Sequence, residues 1–179
     1  DTKVKLGVVR NGIKDRLEFI VTRDKIPVST VDAAFMVTPT VGLIRLSSFG
    51  STSHDEVKKA IKDLQDQCMK DLILDLQQNG GGYMDAAINM INEFMPEGRL
   101  IVYTEGKSFP RSDVYANGTG TCKDAPIAVL TDEISASASE IFSGAIQDND
   151  RGTIIGRRTY GKGLVQTHMS LSDGSEMRL

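Results

Sequence analysis

Serines that follow a buried strand and open a helix can act as nucleophiles, and the chain contains one such segment. Residues 135–140 read SASASE and follow the apolar run 127–131. The start of a helix presents unpaired backbone N–H groups that favour negative charge, and the N–H after an attacking serine is a natural donor to an oxyanion. For Ser137 that donor is Ala138. So short a motif also fits an ordinary helix cap.

A glycine-rich loop and a lysine between glycines could complete such a site. Residues 79–82 read NGGG after the apolar run 72–76, and glycines let backbone donors approach a ligand closely. The same pattern fits an ordinary turn between a strand and a helix. Lys162 lies between two glycines, and a lysine acts as a general base only where burial lowers its pKa from ~10.4 to ~7–8. A solvated lysine in a hairpin is the alternative interpretation.

Residues 156–162 also satisfy most of the phosphate-loop pattern GxxxxGK. Gly163 stands where a serine or threonine should bind magnesium, and residues 163–171 alternate like a strand where a helix should follow. The sequence therefore disfavours a nucleotide site, and it predicts no metal and no cofactor. Cys68 and Cys122 lack the spacing of a zinc site, and Cys68, at the end of an amphipathic helix, is interpreted as a small buried residue.

The composition is typical of a soluble globular protein, and the length has room for one substantial domain with part of another. Of 179 residues, 40% are hydrophobic and 25% are charged, and the net charge is −3. This charge gives no overall attraction to phosphate backbones or anionic lipids, so nucleic acid is not expected as a partner. No run of ~18 apolar residues occurs, so any targeting or anchoring segment is expected outside this stretch of sequence.

Hydrophobic periodicity predicts an α/β fold with parallel crossovers. Residues 1–24 read as a β-hairpin around an Asn-Gly pair, and residues 25–40, with two prolines, read as a connector. Apolar runs predict the later strands, at residues 42–49, 72–76, 100–104, 127–131 and 153–155. Helical patterns follow a capping box at Ser53–Glu56, the NGGG loop and the SASAS segment. Segment 106–124 is interpreted as an excursion from the core.

Three separated motifs occur in the order typical of one protein family. The NGGG loop, the segment SASASEIFSGAIQD at 135–148 and the segment GRRTYGKGLVQ at 156–166 resemble the carboxy-terminal processing proteases, also called tail-specific proteases. The resemblance extends over nearly the whole chain. It implies a serine endopeptidase that works through a Ser–Lys dyad and an acyl-enzyme.

The resemblance also implies a role for individual residues. Ser137, in the middle of SASAS, is expected to be the nucleophile, and Lys162, which follows it by 25 residues, the general base. Gln166, four residues after the lysine, is expected to orient it. The backbone N–H groups of Gly82 and Ala138 are expected to form the oxyanion hole.

Other implications concern architecture and partners. The family has a crotonase-like protease core, here expected over residues 41–179 and truncated at its C-terminus. Residues 1–24 resemble the last strands of a regulatory PDZ domain that is mostly absent from this fragment, and residues 25–40 are expected to link the two. The expected substrates are C-terminal tails of proteins or peptides in the periplasm or cell envelope, and homo-oligomers are compatible with the family. Gln77 and Gln78 replace the Arg-Gly that usually precedes NGGG, which predicts altered local loop contacts.

Two other functions stay open at this stage. A Ser-His-Asp hydrolase could use His168, two residues after Gln166, with Asp75 or Asp148 as the orienting acid. A catalytically silent peptide-binding module could keep the groove without turnover. A His168→Ala variant tests the first alternative, and cleavage of an unstructured polypeptide tests the second.

Overall fold

The computed structural model describes residues 2–24, 28–166 and 168–178, in which strands and helices alternate through most of the chain. The strands are β1 (Lys3–Val8), β2 (Leu17–Thr22), β3 (Val31–Met36), β4 (Val41–Leu46), β5 (Asp71–Asp75), β6 (Leu100–Gly106), β7 (Phe109–Tyr115), β8 (Ile127–Thr131), β9 (Thr153–Gly156), β10 (His168–Ser170) and β11 (Glu176–Arg178). The helices are α1 (Ser53–Gln65), α2 (Met84–Ile91) and α3 (Ala138–Asp148).

A five-stranded sheet with the strand order β3-β4-β5-β8-β9 forms the centre of the fold. Strands β4, β5, β8 and β9 are parallel, whereas β3 runs antiparallel to β4 along one edge. The central strands are short apolar runs, as expected of strands covered on both faces. Leu72, Leu74 and Val129 are at most 2% exposed. The predicted α/β class with parallel strands is confirmed.

The helices bury their apolar faces in a single core with the sheet. In α1, Val57, Ile61 and Leu64 recur at helical spacing and are almost fully buried. Helices α2 and α3 pack against each other. Phe94, just after α2, meets Phe142 of α3 edge to face, with ring centroids 5.7 Å apart. This packing fixes the first turn of α3. Within the described ranges, no helix is long and apolar enough to cross a membrane.

Hairpins outside the central sheet account for the remaining described strands. The pairs are β1–β2, β6–β7 and β10–β11, all antiparallel. The strand predicted at 100–104 exists as β6, but it pairs with β7 and not with the central sheet. Segment 106–124, interpreted as an excursion from the core, contains β7, and the β6–β7 hairpin lies outside the central sheet. The apolar pattern of a strand predicts its existence but not its partner.

The predicted connector at 25–40 contains a strand that the sequence analysis did not include. Strand β3 pairs with β4 from Val31 opposite Leu46 to Met36 opposite Gly42. Residues 25–27 of this predicted connector lie outside the described residues. The irregular register of the pairing, with a shift between Val31 and Ala33, interrupts the alternation by which an edge strand is recognised.

The capping box predicted at Ser53–Glu56 is wrong, although the helix begins there. Thr52 precedes α1, and its hydroxyl donates to the Glu56 carboxylate at 2.6 Å. Ser53 is already helical and fully buried, with its Oγ 2.8 Å from Thr30 Oγ1. The tertiary contact with Thr30 therefore replaces the local cap. Burial of Cys68 is also wrong, since α1 ends at Gln65 and Cys68 is exposed.

The carboxylate of Glu56 joins the start of β3 to α1. It accepts hydrogen bonds from the N–H groups of Thr30 at 2.7 Å and Val31 at 3.2 Å, and from the hydroxyls of Thr52 and Ser29. Burial alone would raise the pKa of Glu56, but these hydrogen bonds outweigh it and lower the pKa to about 2. Glu56 is thus ionised over the whole range in which most proteins are folded.

We expect Glu56→Gln to lower the free energy of unfolding by on the order of 1–2 kcal/mol at neutral pH and by much less near pH 2. A lowered pKa stabilises the folded state above the ordinary glutamate pKa of ~4.3, and this contribution is lost as the pH falls toward about 2. Urea unfolding of the parent and the variant at both pH values measures the effect, with Asp55→Asn as the exposed control. An equal difference at both pH values would contradict this role of Glu56.

Candidate active site

The carboxyl ends of β5 and β8 lie side by side, and the loops that follow them form the candidate site. The two strands are paired in parallel, with Leu74 opposite Val129 and Asp75 opposite Leu130. Functional groups collect at this edge of a parallel sheet because the loops after the strands meet there. The NGGG loop and the SASAS segment are therefore neighbours.

Hydrogen bonds fasten the SASAS segment to the NGGG loop. Ser135 Oγ donates to the carbonyl oxygen of Leu76 at 2.7 Å, and Ser139 Oγ donates to that of Asn79 at 2.9 Å. The N–H of Ala136 donates to the same Asn79 oxygen at 3.1 Å. Both flanking serines are fully buried, so their hydroxyls maintain the loop contact. The middle serine of the segment lies at the surface of the cleft.

The buried carboxylate of Asp132 links the NGGG loop to the SASAS segment through hydrogen bonds. It accepts the backbone N–H and the side-chain amide of Gln78, the latter at 2.6 Å, and the N–H groups of Ile134 and Ser135. Burial by itself would raise the pKa of Asp132, but the hydrogen bonds from Gln78, Ile134 and Ser135 lower it to about 2. Gln78 has a φ of 64°, where glycine is favoured, and its amide contact with Asp132 offsets that strain.

Ser137 occupies a strained turn directly before α3. Its φ of 56° lies in the left-handed region, which is uncommon for a residue other than glycine and recurs at functional sites. Gly81 packs against this turn, since a Cβ on Gly81 would lie 2.8 Å from Ser137 Cβ and 2.9 Å from Ala138 N. Only glycine fits there. Ala138 is the first residue of α3, so its N–H has no partner within the helix.

Gly82 is held from the other side by the loop that precedes α1. The N–H of Tyr83 donates to the carbonyl oxygen of Phe49 at 2.8 Å, and the N–H of Phe49 donates to that of Gly81 at 3.0 Å. A Cβ on Gly82 would overlap the carbonyl oxygen of Phe49, and the φ of 150° also favours glycine. The glycine loop is thus fixed between Phe49 and the Ser137 turn.

Glu140 joins the serine turn to the segment that carries the lysine, and the sequence analysis did not single it out. Its carboxylate accepts the N–H groups of Ser137 at 2.8 Å, Gly161 at 2.6 Å and Lys162 at 2.9 Å. Burial would raise the pKa of Glu140, but hydrogen bonds from Thr159 and from these three amides keep it below its ordinary value. The spacing Ser137-x-x-Glu140 is that of a capping box, which is the signal that could have identified it.

A cleft of about 570 Å³ brings most of the predicted site residues together. Gly82, Ser137, Lys162 and Gln166 all line it. Ala138 is fully buried at the start of α3. Apolar side chains form much of the remaining wall, namely Tyr83, Met84, Val102, Tyr103, Ile141, Leu164 and Val165. The cleft therefore presents apolar surface beside Ser137 and Lys162.

Lys162 is exposed in this structure, so the burial expected of a general base is not present here. The surrounding residues 157–166 form neither helix nor strand, and Gln166 is exposed as well. Of the histidines, His54 has its Nε2 2.9 Å from Glu93 Oε1, and the side chain of His168 lies outside the described part of the structure. Across the described residues, no group of three or more His, Cys, Asp or Glu side chains could hold a metal ion.

We expect Glu140→Gln to lower kcat by ~10- to 100-fold with little change in KM, because each hydrogen bond to a charged group contributes ~1.5–3 kcal/mol. The amide would place an NH2 group against backbone donors and release Lys162 from the serine turn. Glu133→Gln, which removes only an exposed ion pair with Arg157, is the matched control and should stay within about twofold. Steady-state kinetics with circular dichroism makes the test, and unchanged kcat in Glu140→Gln would contradict it.

Known proteins of similar sequence and structure include proteases. The family model for peptidase family S41 matches residues 40–179. A carboxyl-terminal-processing protease of Synechocystis sp. is 40% identical over 178 residues, which is 98% of this chain and 41% of that protein. A probable CtpA-like serine protease of Staphylococcus aureus is 34% identical over 99% of this chain and 35% of its own length. The chain thus spans less than half the length of these curated relatives.

A solved structure agrees with the sequence relatives. The photosystem II D1 C-terminal processing protease superposes with a TM-score of 0.75 at 30% identity, covering 100% of this chain and 50% of that one. Fold and relatives agree on one class of proteins, the peptidases of a single family. The chain belongs to peptidase family S41. The resemblance to carboxy-terminal processing proteases is confirmed.

Proposed function

We propose that the protein is a serine endopeptidase that cleaves protein substrates near their C-termini through a Ser–Lys dyad. The observation that carries this proposal is the joint position of Ser137 and Lys162. Both line one cleft, and the carboxylate of Glu140 accepts the backbone N–H of each. A strained serine at a helix start beside a lysine-bearing segment fits an activated nucleophile with its base.

In the proposed mechanism, Ser137 Oγ attacks the scissile carbonyl carbon while Lys162 Nζ accepts the hydroxyl proton. The backbone N–H groups of Gly82 and Ala138 stabilise the oxyanion that forms. Collapse of this intermediate breaks the C–N bond, and Lys162 returns the proton to the departing amine. A water molecule activated by Lys162 then hydrolyses the ester on Ser137. Gln166 orients the amine, and as a neutral side chain it does so without favouring the charged ammonium.

A lysine that acts as a general base has to be free of its positive charge, which burial favours, and the side chain of Lys162 is exposed in the cleft. A bound peptide would cover the cleft and expel water, which disfavours the charged ammonium. The apolar wall supports this role, since Leu164 and Val165 line the cleft just after Lys162 in the chain and are 80% and 59% exposed. We infer that a bound substrate shields Lys162 from water and thereby enables it to act as the general base.

The proposed partners and location follow from the relatives. The substrates are C-terminal tails of proteins or peptides, in the periplasm or cell envelope, and this rests on the processing proteases to which the chain is similar. We infer that residues 1–24 are the last strands of a PDZ domain and 41–179 a crotonase-like core. Exposed apolar residues on the β1–β2 hairpin support this domain assignment, because such a patch is typical of a surface that packs against other parts of a protein. Leu6, Phe19 and Ile20 are each at least 47% exposed.

The experiment that tests the proposal is digestion of an unstructured polypeptide by the intact protein, with the products mapped by mass spectrometry. Cleavage near the C-terminus is the expected result. Binding of the polypeptide without cleavage would favour the catalytically silent module. Activity that depends on His168, seen as loss in His168→Ala together with retention in Lys162→Arg, would favour a Ser-His-Asp hydrolase.

A further inference from the structure

A second cleft, of about 390 Å³, continues from the first along α3. The residues common to both clefts are Val102, Tyr103, Ser137, Ile141, Lys162 and Gly163. Ser137 and Lys162 therefore lie at the junction of one channel that extends in both directions. A peptide bound across this junction would have residues in both clefts.

One wall of the second cleft is an unpaired strand edge. Strand β6 pairs with β7 on one side, and no other strand in the described ranges pairs with it. Its Leu100 carbonyl oxygen accepts a hydrogen bond from Asn149 Nδ2 at 2.9 Å, just beyond α3, so this edge runs beside the helix. Val102 and Tyr103 of the same strand line the cleft. Beyond Leu100, whose carbonyl oxygen is occupied by Asn149, a strand edge with no neighbouring strand is a template for an added extended peptide.

The opposite wall is the face of α3 that carries Gly144. This residue lines the second cleft one turn after Ile141. A Cβ added to Gly144 would meet no heavy atom within 4 Å, so no packing contact requires the glycine. A glycine within a helix costs ~1 kcal/mol relative to alanine. The missing side chain leaves the channel open at this point.

We propose that the second cleft binds the part of the substrate that departs with the amine, as an extended strand paired with β6. This inference rests on the proposed function. Gly80 and Gly82 of the glycine loop, which would bind the oxyanion of the acyl part, line only the first cleft, so the departing part is assigned to the second. Lys162, which would protonate the departing amine, lies at the junction of both clefts. Pairing with β6 would use hydrogen bonds to the peptide main chain, which do not depend on the side chains, so tails of varied sequence could bind.

The distance from Ser137 to Gly144 sets how many substrate residues beyond the scissile bond are needed to reach Gly144. Gly144 lies seven residues after Ser137 in the chain, which is about 10 Å along a helix. An extended peptide covers that distance with about three residues. A side chain at position 144 should therefore obstruct substrates with three or more residues beyond the scissile bond and spare shorter ones.

The test compares Gly144→Leu with Gln147→Leu in the intact protein on two substrates that share the same acyl part. One is a peptidyl anilide with no residue beyond the scissile bond, and the other is a peptide with four. We expect Gly144→Leu to lower kcat/KM by ~10-fold or more for the longer substrate and by less than about twofold for the anilide. Gln147 is exposed on α3 and lines neither cleft, so Gln147→Leu should stay within about twofold on both substrates.

Two results would overturn the inference, namely equal losses on both substrates in Gly144→Leu or no loss on either. Methylating the backbone nitrogens of the departing segment one at a time tests the pairing with β6. Loss of cleavage at alternate positions supports it, and uniform loss or no loss overturns it. Ser137→Ala separates the two proposals, since retained cleavage in that variant overturns the dyad. If Ser137→Ala is inactive but Gly144→Leu affects both substrates equally, only the inference about the second cleft is overturned.

Discussion

Replacing Ser137 with alanine is expected to lower proteolysis by at least ~10³-fold while leaving the fold intact, because only the nucleophilic hydroxyl is removed. The backbone N–H of residue 137 would still donate to Glu140, so the turn before α3 keeps its anchor. Turnover of an unstructured polypeptide, measured beside circular dichroism and thermal unfolding, gives the result.

The flanking serines are the matched controls for Ser137. Ser135 and Ser139 are buried and donate to backbone carbonyl oxygens of the glycine loop. Ser135→Ala and Ser139→Ala should each lower the free energy of unfolding by about 1 kcal/mol and retain most of the turnover. If Ser139→Ala abolished cleavage and Ser137→Ala did not, the nucleophile would be assigned to the wrong serine.

Lys162→Arg is expected to lower turnover by ~10³-fold or more, because arginine keeps the positive charge but cannot accept a proton near neutral pH. The backbone N–H of residue 162 would keep its 2.9 Å hydrogen bond with Glu140, so the segment should stay in place. The measurement is kcat across the neutral pH range.

Lys107→Arg provides the control for this substitution. Lys107 lies in the exposed turn between β6 and β7, away from the residues that line the cleft, and its replacement should leave kcat within about twofold. A Lys162→Arg variant as fast as the parent would exclude lysine as the base. Loss in both variants would instead indicate a general requirement for lysine that the dyad does not explain.

The elements that position the site were largely predictable from the sequence. The apolar runs at 72–76 and 127–131 gave β5 and β8, and their parallel pairing brings the NGGG and SASAS loops to one edge of the sheet. Helical periodicity after Ser53 predicted α1. These predictions worked because each rests on a periodic pattern that a buried face imposes.

Features that depend on distant contacts were not predictable in the same way. Strand β6 was recognised, but its pairing with β7 depends on which segment folds back against it. The cap of α1 changed because Ser53 is drawn into a buried contact with Thr30. Cys68 was expected to be buried, yet the helix ends at Gln65, and the turn that follows exposes the thiol.

Some features of the candidate site were predictable from the sequence, and others were not. The family resemblance predicted Ser137 and Lys162 as the dyad, and both residues line one cleft. The role of Glu140 becomes visible only when three amides from two segments converge on its carboxylate. The exposure of Lys162 was also not foreseen, since burial was expected from the chemistry of a lysine base.

The measurement that tests the dyad most directly is labelling of the intact protein with a serine-reactive phosphonate, with the modified residue located by mass spectrometry. The account predicts that Ser137 is labelled, that labelling slows by ~10³-fold or more in Lys162→Arg, and that His168→Ala labels at the parent rate. Labelling of a different serine, or labelling of Ser137 at the parent rate in Lys162→Arg, would contradict the Ser–Lys dyad.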